Sequence, residues 1–349
     1  MKKWIAFSFI LIVLVACQSN EQQSNGEAVE QTPAFQPFTI GTIEIMDSVA
    51  YKRLNSNSSI EVIAEGFTWS EGPVWVGALN SLLFSDVPEN KVWQWSEKDG
   101  LKLYLEPSGY TGEGFWSKEP GANGLMLHPV NGSLVLCQHG NRSVALMDAP
   151  LVKPQAKFVT LAGAFNNKLL NSPNDLVFDK AGNLFFTDPP YGLEKQVEDT
   201  KKEIPFQGVY RVNLDGDVSL LLDTITRPNG VALSPDEKIL YVTNSDPNKA
   251  YILAYELNPD KSIKKGGLFY DTTPTVKAGQ DRGVPDGMVV SKDGTIYTTG
   301  PGGVWVISSK GKVLAKIKTT QATSNCTLDS SEQYLYITAD MYLMRVKLS

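Results

Sequence analysis

The sequence predicts an all-β fold, a six-bladed β-propeller with a metal site in its central channel. Three observations predict it: a strand–turn–strand phrase repeated six times between residues 71 and 340, hairpin signals inside the copies, and a polar residue that opens each copy. The 349 residues include 29 glycines and 20 prolines, which suits a fold with many turns. No sustained 3.6-residue apolar stripe occurs in 40–349, so the repeats are not helical.

The overall composition limits the binding partners and the reaction types that are expected for this chain. A net charge of −6 excludes a chain-wide electrostatic footprint for nucleic acid, so no nucleic-acid partner is expected. Three cysteines and two histidines exclude a disulfide scaffold and a Cys/His zinc cluster. Any chemistry must therefore rely on oxygen ligands and carboxylates.

The first residues predict export. Residues 1–16 read as a lipoprotein signal peptide, because two lysines precede an apolar run of 13 residues, whereas a bilayer-spanning helix needs about 20. Leu14 to Cys17 resembles a bacterial lipobox, in which Cys17 is lipidated; the alternative is an ordinary secretory signal with an incidental cysteine. Residues 17–37 are polar and predict a disordered tether. The expected protein is an exported bacterial lipoprotein, anchored to a membrane through the lipid, with its propeller (38–349) in the periplasm or outside the cell.

The repeated phrase is a polar residue, a short apolar strand, a tight turn and a second apolar strand that ends in a polar residue. Asn-Gly at 131–132 and Asp-Gly at 293–294 are strong hairpin signals between apolar runs. The gaps between the opening residues are 52, 51, 55, 57 and 39. These opening residues are Glu71, Asn123, Asn174, Asn229, Asp286 and Asn325.

Ring closure needs a strand from the start of the domain. The sixth copy ends at Ser349 with three strands, which would leave an unpaired edge. The apolar segment 60–66 is a spare strand and is expected to complete the last blade. The segment 38–54 is expected to pack across the outside.

The opening residues should meet at one face of the channel, because the first strand of each blade lines the axis. Oxygen donors of this kind suit Ca²⁺ or a similar cation. Without a cation, Glu71 and Asp286 would be close like charges. The alternative is that these residues cap strands and bind channel water. The ends of the second strands should form a wider ring on the same face: Asp86, His139, Asp188, Asn244 and Asp340.

Several phrases together resemble the SMP-30/gluconolactonase/luciferin-regenerating (LRE-like) family, most closely its bacterial gluconolactonases. The resemblance implies metal ligation by Glu71, Asn174, Asn229 and Asp286. Two departures border the expected substrate site: Gln138 stands where Glu is usual, and Leu169-Leu170 stands where Lys-Arg is usual. The phrases lie at 67–75, 170–193, 227–245, 284–306 and 325–339.

The resemblance implies that the protein is a gluconolactonase-like enzyme, a divalent-metal-dependent hydrolase that opens a small-molecule sugar lactone. The expected cofactor is Ca²⁺, with Mg²⁺, Mn²⁺ or Zn²⁺ as alternatives. Asp286 is the first candidate for the catalytic base and His139 the second. Asn123, Asn174 and His139 are expected to contact the substrate. A serine route is disfavoured because the chain has no G-x-S-x-G motif.

Two other functions remain open at this point. One is hydrolysis of another lactone, ester or organophosphate by the same kind of site. The other is a non-catalytic propeller that binds a sugar or a protein partner. Two further expectations concern single residues: Cys137 and Cys326 should be buried free thiols, and His128 should lie at the surface on the face opposite the site.

Overall fold

Three strands precede the first repeat in the computed structural model, which describes Met1, 35–54 and 57–349. They are β1 (Phe38–Ile40), β2 (Thr42–Ile45) and β3 (Ile60–Glu65), with a 3₁₀ turn at Ser48–Lys52. The predicted signal peptide, Cys17 and most of the predicted tether lie outside the described residues. Within the described ranges, no helix has the length and apolar character needed to cross a membrane.

The first three repeats each form an antiparallel sheet whose strands are neighbours in chain order. Blade 1 contains β4 (Ser70–Val76), β5 (Ser81–Asp86), β6 (Lys91–Ser96) and β7 (Gly100–Leu105). Blade 2 contains β8 (Ala122–Leu127), β9 (Leu134–Gln138), β10 (Ser143–Met147) and β11 (Phe158–Ala162). After a small hairpin of β12 (Ala164–Phe165) and β13 (Lys168–Leu169), blade 3 contains β14 (Leu176–Phe178), β15 (Leu184–Asp188), β16 (Gly208–Val212) and β17 (Val218–Leu222).

The last three repeats continue the ring. Blade 4 contains β18 (Pro228–Leu233), β19 (Ile239–Asp246), β20 (Lys249–Leu257) and β21 (Ile263–Asp271), followed by the short helix α1 (Thr273–Ala278). Blade 5 contains β22 (Met288–Val290), β23 (Ile296–Gly300), β24 (Gly303–Ile307) and β25 (Val313–Lys318). Blade 6 contains β26 (Thr323–Leu328), β27 (Tyr334–Ala339) and β28 (Tyr342–Lys347). Residues 35–54 and 57–349 thus form the predicted six-bladed β-propeller.

The spare strand closes the ring as predicted. β3 pairs antiparallel with β28, with Ile60 opposite Val346 and Glu65 opposite Tyr342. The segment before it does more than pack across the outside: β1 pairs with β3 in blade 6, and β2 pairs with β25 in blade 5. The alternating isoleucines of this segment let it pair with two open sheet edges. Segment 38–54 was expected only to pack across the outside, and in the structure it also supplies strands to two blades.

The core lies between the blades. Each apolar cluster of the described residues draws on two neighbouring blades, so the clusters form a closed ring. Strand β5 illustrates the alternation: Leu82 and Phe84 pack toward blade 6, and Leu83 packs toward blade 2. Burying each such side chain stabilises the fold by about 1.5–3 kcal/mol. Cys137 and Cys326 are buried free thiols, as predicted.

Candidate active site

The first strand of a blade carries its polar residue at a β-bulge. In blade 1, Ser70 lies opposite Asp86 but Val74 lies opposite Leu83, so β4 contains one extra residue between these pairs. Blades 2, 4 and 6 have the same register shift at the same place. A bulge turns side chains away from the sheet's regular alternation. The repeated shift explains how side chains of inner strands can point to the channel axis.

The polar residue that opens each repeat is its ring residue. A glycine follows this residue where two blades approach each other closely. A Cβ atom on Gly72 would lie 2.0 Å from the carbonyl oxygen of Asn123, and one on Gly230 would lie 2.3 Å from that of Asp286. Gly72 also has a left-handed φ of 49°. The polar–Gly pair in the sequence therefore marks both the site residue and a close contact between blades.

Hydrogen bonds from one blade fix the ring residue of the next. In several blades the donor is a hydroxyl near the end of the second strand, and the acceptor is the main-chain carbonyl of the ring residue. A glycine N–H makes the equivalent link between blades 2 and 3. These bonds are Ser85 Oγ to Asn123 O (2.8 Å), Gly124 N to Asn174 O (2.7 Å), Thr187 Oγ1 to Asn229 O (2.6 Å) and Thr243 Oγ1 to Asp286 O (2.6 Å).

The ring position in blade 6 belongs to Ser324, which corrects the expectation for Asn325. The carbonyl of Ser324 accepts the Gly287 N–H at 2.8 Å, as the ring residues of other blades do. Asn325 occupies the position that glycine has in most copies and Asp175 has in blade 3. Alignment on the polar residue alone misses this shift, because Ser324 and Asn325 are both polar. Asn325 still lies near the centre, since its side chain lowers the pKa of Glu71 against the effect of burial.

Two carboxyl groups share the centre. Glu71 is 2% exposed, and its Oε2 accepts the Gly72 N–H at 2.8 Å. Burial, reinforced by nearby Asp175, raises the pKa of Glu71 to about 8. Burial and the charge of Glu71 raise the pKa of Asp286 well above its ordinary value. The two acids are therefore close and mutually unfavourable when both are ionised, as the sequence predicted.

Unpaired oxygens face this centre. Among the described residues, the Oδ1 atoms of Asn123, Asn174 and Asp286 are buried without a hydrogen-bond partner. Leaving such a group unsatisfied costs about 1–3 kcal/mol. The side chain of Asn229 lies close enough to Asp286 to lower its pKa against the effect of burial. The described residues contain no group of three His, Cys, Asp or Glu suited to a metal, because this ring supplies amide oxygens beside its two acids.

A second set of polar side chains holds the loops that lead into the ring. Both Asp188 oxygens accept backbone N–H groups, from Asn171 and Ser172, at 2.8 Å each. Asp86 and Asn244 accept equivalent bonds in blades 1 and 4. These residues thus fix the backbone two or three positions before the ring residue.

His139 is not the blade 2 member of that set, which corrects the expected register. Gln138 lies opposite Ala122, as Asp86 lies opposite Ser70, so His139 comes one residue later. Gln138 Nε2 donates to the carbonyl of Ser108 at 2.9 Å. In blade 6, similarly, Ala339 holds the register position and Asp340 follows it. In blade 2 the consecutive polar residues Gln138 and His139 concealed the correct position, and in blade 6 that position holds the apolar Ala339.

His139 is fully buried beside an acid that the sequence did not point to. Its Nδ1 lies 3.7 Å from Glu119 Oε2. Burial lowers the pKa of His139 to about 4, so the neutral imidazole does not form an ion pair with Glu119. The Glu119 side chain is 39% exposed, and the partial burial of its carboxyl group raises the pKa to about 7. Loop 106–121 has no strand periodicity that could have placed Glu119.

Tyr191 is a second residue that the sequence did not single out for the site. Burial, with the charge of Asp286 nearby, raises the pKa of its phenol. The loop that carries Tyr191 is joined to loop 106–121, because Trp116 Nε1 donates to the carbonyl of Gly192 at 3.0 Å. The two loops therefore form a connected rim at the channel mouth.

Known proteins resemble this chain in sequence and fold. Residues 69–340 match the family described as SMP-30/Gluconolactonase/LRE-like region. A gluconolactonase of Zymomonas mobilis subsp. mobilis is 34% identical over 339 residues, which covers 95% of this chain and 90% of that protein.

Solved structures agree with this match. A gluconolactonase from Xanthomonas campestris has a TM-score of 0.77 and 29% identity, and the match covers 91% of this chain and 99% of that one. A calcium-binding protein, regucalcin, from Agrobacterium tumefaciens has a TM-score of 0.63 and 17% identity, covering 82% and 93%. At that identity the likeness to regucalcin concerns the fold alone.

Proposed function

The chain belongs to the SMP-30/gluconolactonase/LRE-like family and is a lactonase, and from this premise we propose that it opens a sugar lactone with the help of a divalent cation. In this reaction water adds to the lactone carbonyl carbon, the bond from that carbon to the ring oxygen breaks, and the ring oxygen takes up a proton. The product is a hydroxy acid.

The ring of oxygen donors supports cation binding. The proposed ligands are Glu71, Asn174, Asn229 and Asp286. The observation that carries the proposal is the pair of buried, unpartnered Oδ1 atoms of Asn174 and Asp286 in the described channel, beside a second carboxyl group. Two acids with neutral amide oxygens are a hard donor set that suits Ca²⁺, and Mg²⁺, Mn²⁺ or Zn²⁺ are alternatives. What such a cation supplies when bound is polarisation of a carbonyl and stabilisation of negative charge on its oxygen.

The chain's own residues would bind the lactone and move the proton. Asn123 has an unpartnered amide oxygen in the described ring and can orient a substrate hydroxyl, as can Asn174. Asp286 or His139 would take the proton that the attacking water loses. Burial lowers the pKa of His139 to about 4, so its imidazole is unprotonated near neutral pH and has a lone pair that can accept a proton.

Turnover of glucono-1,5-lactone with added Ca²⁺ and with a chelator tests the proposal. We expect chelator-sensitive hydrolysis that is lost, together with tight Ca²⁺ binding, in Glu71→Gln and Asp286→Asn. Asp215→Asn, an exposed turn residue in blade 3, is the matched control and should behave as wild type. Unchanged hydrolysis with chelator, or in either ring variant, would overturn the role of the cation.

The same protein is proposed to be a lipoprotein. Support comes from the signal-like segment 1–16 and the cysteine that follows it. Labelled palmitate should be incorporated into the full chain and should be absent from Cys17→Ser, and the wild-type protein should fractionate with membranes. Incorporation that persists in Cys17→Ser would contradict attachment at this residue.

A further inference from the structure

We propose that Glu119 is a positioning residue for His139: its carboxylate accepts the Nδ1 proton of the imidazole and leaves Nε2 as an unprotonated acceptor in the active site. This inference deepens the proposed lactone hydrolysis and rests on it. Neither residue is among the proposed cation ligands.

The first support is the incomplete hydrogen bonding of His139. Both ring nitrogens are buried and make no hydrogen bond of normal geometry within the described part of the chain, although the main chain of Glu119 lies near the imidazole. A neutral imidazole has one donor and one acceptor nitrogen, and the bond made by one nitrogen sets the state of the other. Glu119 Oε2, at 3.7 Å from Nδ1, is close enough to reach hydrogen-bond distance by a small side-chain movement. Such bonds are often long in structures without substrate and tighten when it binds.

The second support is the rigid placement of the Glu119 backbone beside His139. The N–H of His139 donates to the carbonyl of Gly121 at 3.1 Å, and the N–H of Gly140 donates to that of Pro120 at 3.1 Å. The residues directly after Glu119 are therefore bonded to His139 and its neighbour. Ser117 Oγ also accepts the Glu119 N–H at 3.2 Å.

The third support is the tight packing on the other side of the histidine. A Cβ atom on Gly192 would lie 2.5 Å from the Cβ atom of His139, so loop 189–194 presses directly on this side chain. Trp116, three residues before Glu119, is bonded to the carbonyl of the same glycine at 3.0 Å. The imidazole is thus confined between two joined loops.

The proposed pairing of His139 with Glu119 implies a path for the proton during hydrolysis. Nε2 accepts a proton from the attacking water while the water oxygen bonds to the lactone carbonyl carbon. The imidazolium formed is stabilised by the Glu119 carboxylate. Nε2 then returns the proton to the ring oxygen as the carbon–oxygen bond breaks, so the histidine ends neutral.

The tautomer of His139 can be measured without any activity assay. The chain has two histidines, so ¹⁵N-histidine NMR of the full chain with Ca²⁺ at pH 8 gives two sets of signals, and His128→Ala assigns them. His128 packs against Phe178 with ring centroids 5.0 Å apart and lies in the blade 2 turn, outside the site. We expect the Nδ1–H tautomer for His139 in wild type and in Glu119→Gln, whose amide oxygen still accepts. Glu119→Met, of similar length but without an acceptor, should lose it.

An Nε2–H tautomer in wild type, or an unchanged tautomer in Glu119→Met, would overturn the inference. This readout stands even if the protein does not hydrolyse gluconolactone, so failure here is distinct from failure of the proposed function. Glu119→Ala provides the same measurement if the methionine variant does not fold.

Kinetics tests the link between the two residues. Glu119→Met should lower kcat by about 10–100-fold with KM changed by about twofold or less, as expected when a buried orienting partner is lost. Glu119→Gln should recover most of the rate. Adding Glu119→Met to His139→Ala should cause no further loss, because Glu119 acts through the histidine. Losses that multiply in the double variant would overturn the inference.

Discussion

The hydroxyl of Thr243 in blade 4 donates a 2.6 Å hydrogen bond to the main-chain carbonyl of Asp286 in blade 5. On the other side, the N–H of Asp286 donates to Thr299 Oγ1 at 3.0 Å. Two threonines on second strands therefore hold the backbone of a proposed cation ligand. The direction of the Asp286 side chain is set by the ring of blades and does not depend on its own loop alone.

Thr243→Val should weaken both the fold and the proposed cation site. Valine keeps the shape but removes this donor, and the Asp286 carbonyl then keeps only the Gly230 N–H at 3.2 Å, so we expect a loss of about 0.5–1.5 kcal/mol. We expect that loss in urea unfolding and weaker Ca²⁺ binding in calorimetry. Thr160→Val, at an exposed position of β11, is the matched control and should change stability by less than about 0.5 kcal/mol. Equal effects of the two substitutions would contradict this role.

Glu71→Gln should stabilise the cation-free protein at pH 8 and abolish stabilisation by Ca²⁺. Glu71 and Asp286 repel each other when ionised, and the amide removes one of the two charges. Without that carboxylate, the folded state loses its preference for the cation, so added Ca²⁺ no longer raises the melting temperature. Thermal unfolding with chelator and with Ca²⁺ measures both effects. A calcium-induced shift as large as that of wild type would count against the ligand role of Glu71.

The cation-free protein should lose stability as the pH rises. The pKa of Glu71 is raised from 4.5 to about 8, so between these values the folded state binds more protons than the unfolded state. Stability that is fully present below pH 4.5 is then lost as the pH rises toward 8. Urea unfolding in chelator across this range should give a falling free energy, with a smaller slope in Glu71→Gln. A rising free energy would contradict the raised pKa.

Gly41→Ala should destabilise the protein more than Gly216→Ala. Both glycines have left-handed φ values, 65° and 87°, so both substitutions cost about 1–2 kcal/mol of backbone strain. A Cβ atom on Gly41 would also lie 1.9 Å from the carbonyl oxygen of Lys318, whereas one on Gly216 would have no neighbour within 4 Å. The difference between their unfolding free energies therefore measures the close approach between β1–β2 and blade 5. Equal losses would mean that this contact relaxes easily.

Residue spacing was enough to predict most of the ring. Side chains alternate with a period of two along an inner strand, a polar–Gly pair marks the start of that strand, and the hairpin turn fixes its partner strand. The positions of Glu71, Asn123, Asn229 and Asp286 follow from this local pattern. The pattern fails by one residue at Ser324, where two adjacent polar residues leave the register open. Only the hydrogen bond from Gly287 resolves that position.

The positions of the residues at the rim of the channel could not be predicted from residue spacing. Glu119 and Tyr191 lie on loops, which have no period that relates sequence position to direction in space. Their positions depend on contacts between distant segments, such as the bond from Trp116 to Gly192. Likewise, the alternating apolar residues of β1 and β2 fit a sheet edge, but nothing local indicates which two blades they join.

The first strands of the domain add a fifth member to sheets that already have four. β1 extends blade 6 and β2 extends blade 5, one after the other across the seam of the propeller. A mechanical load transmitted through the chain before Phe38 reaches β1, whose three residues would peel away first, and then β2. Both can detach without breaking a four-stranded blade, so tension on the leading segment need not disturb the ring of polar side chains.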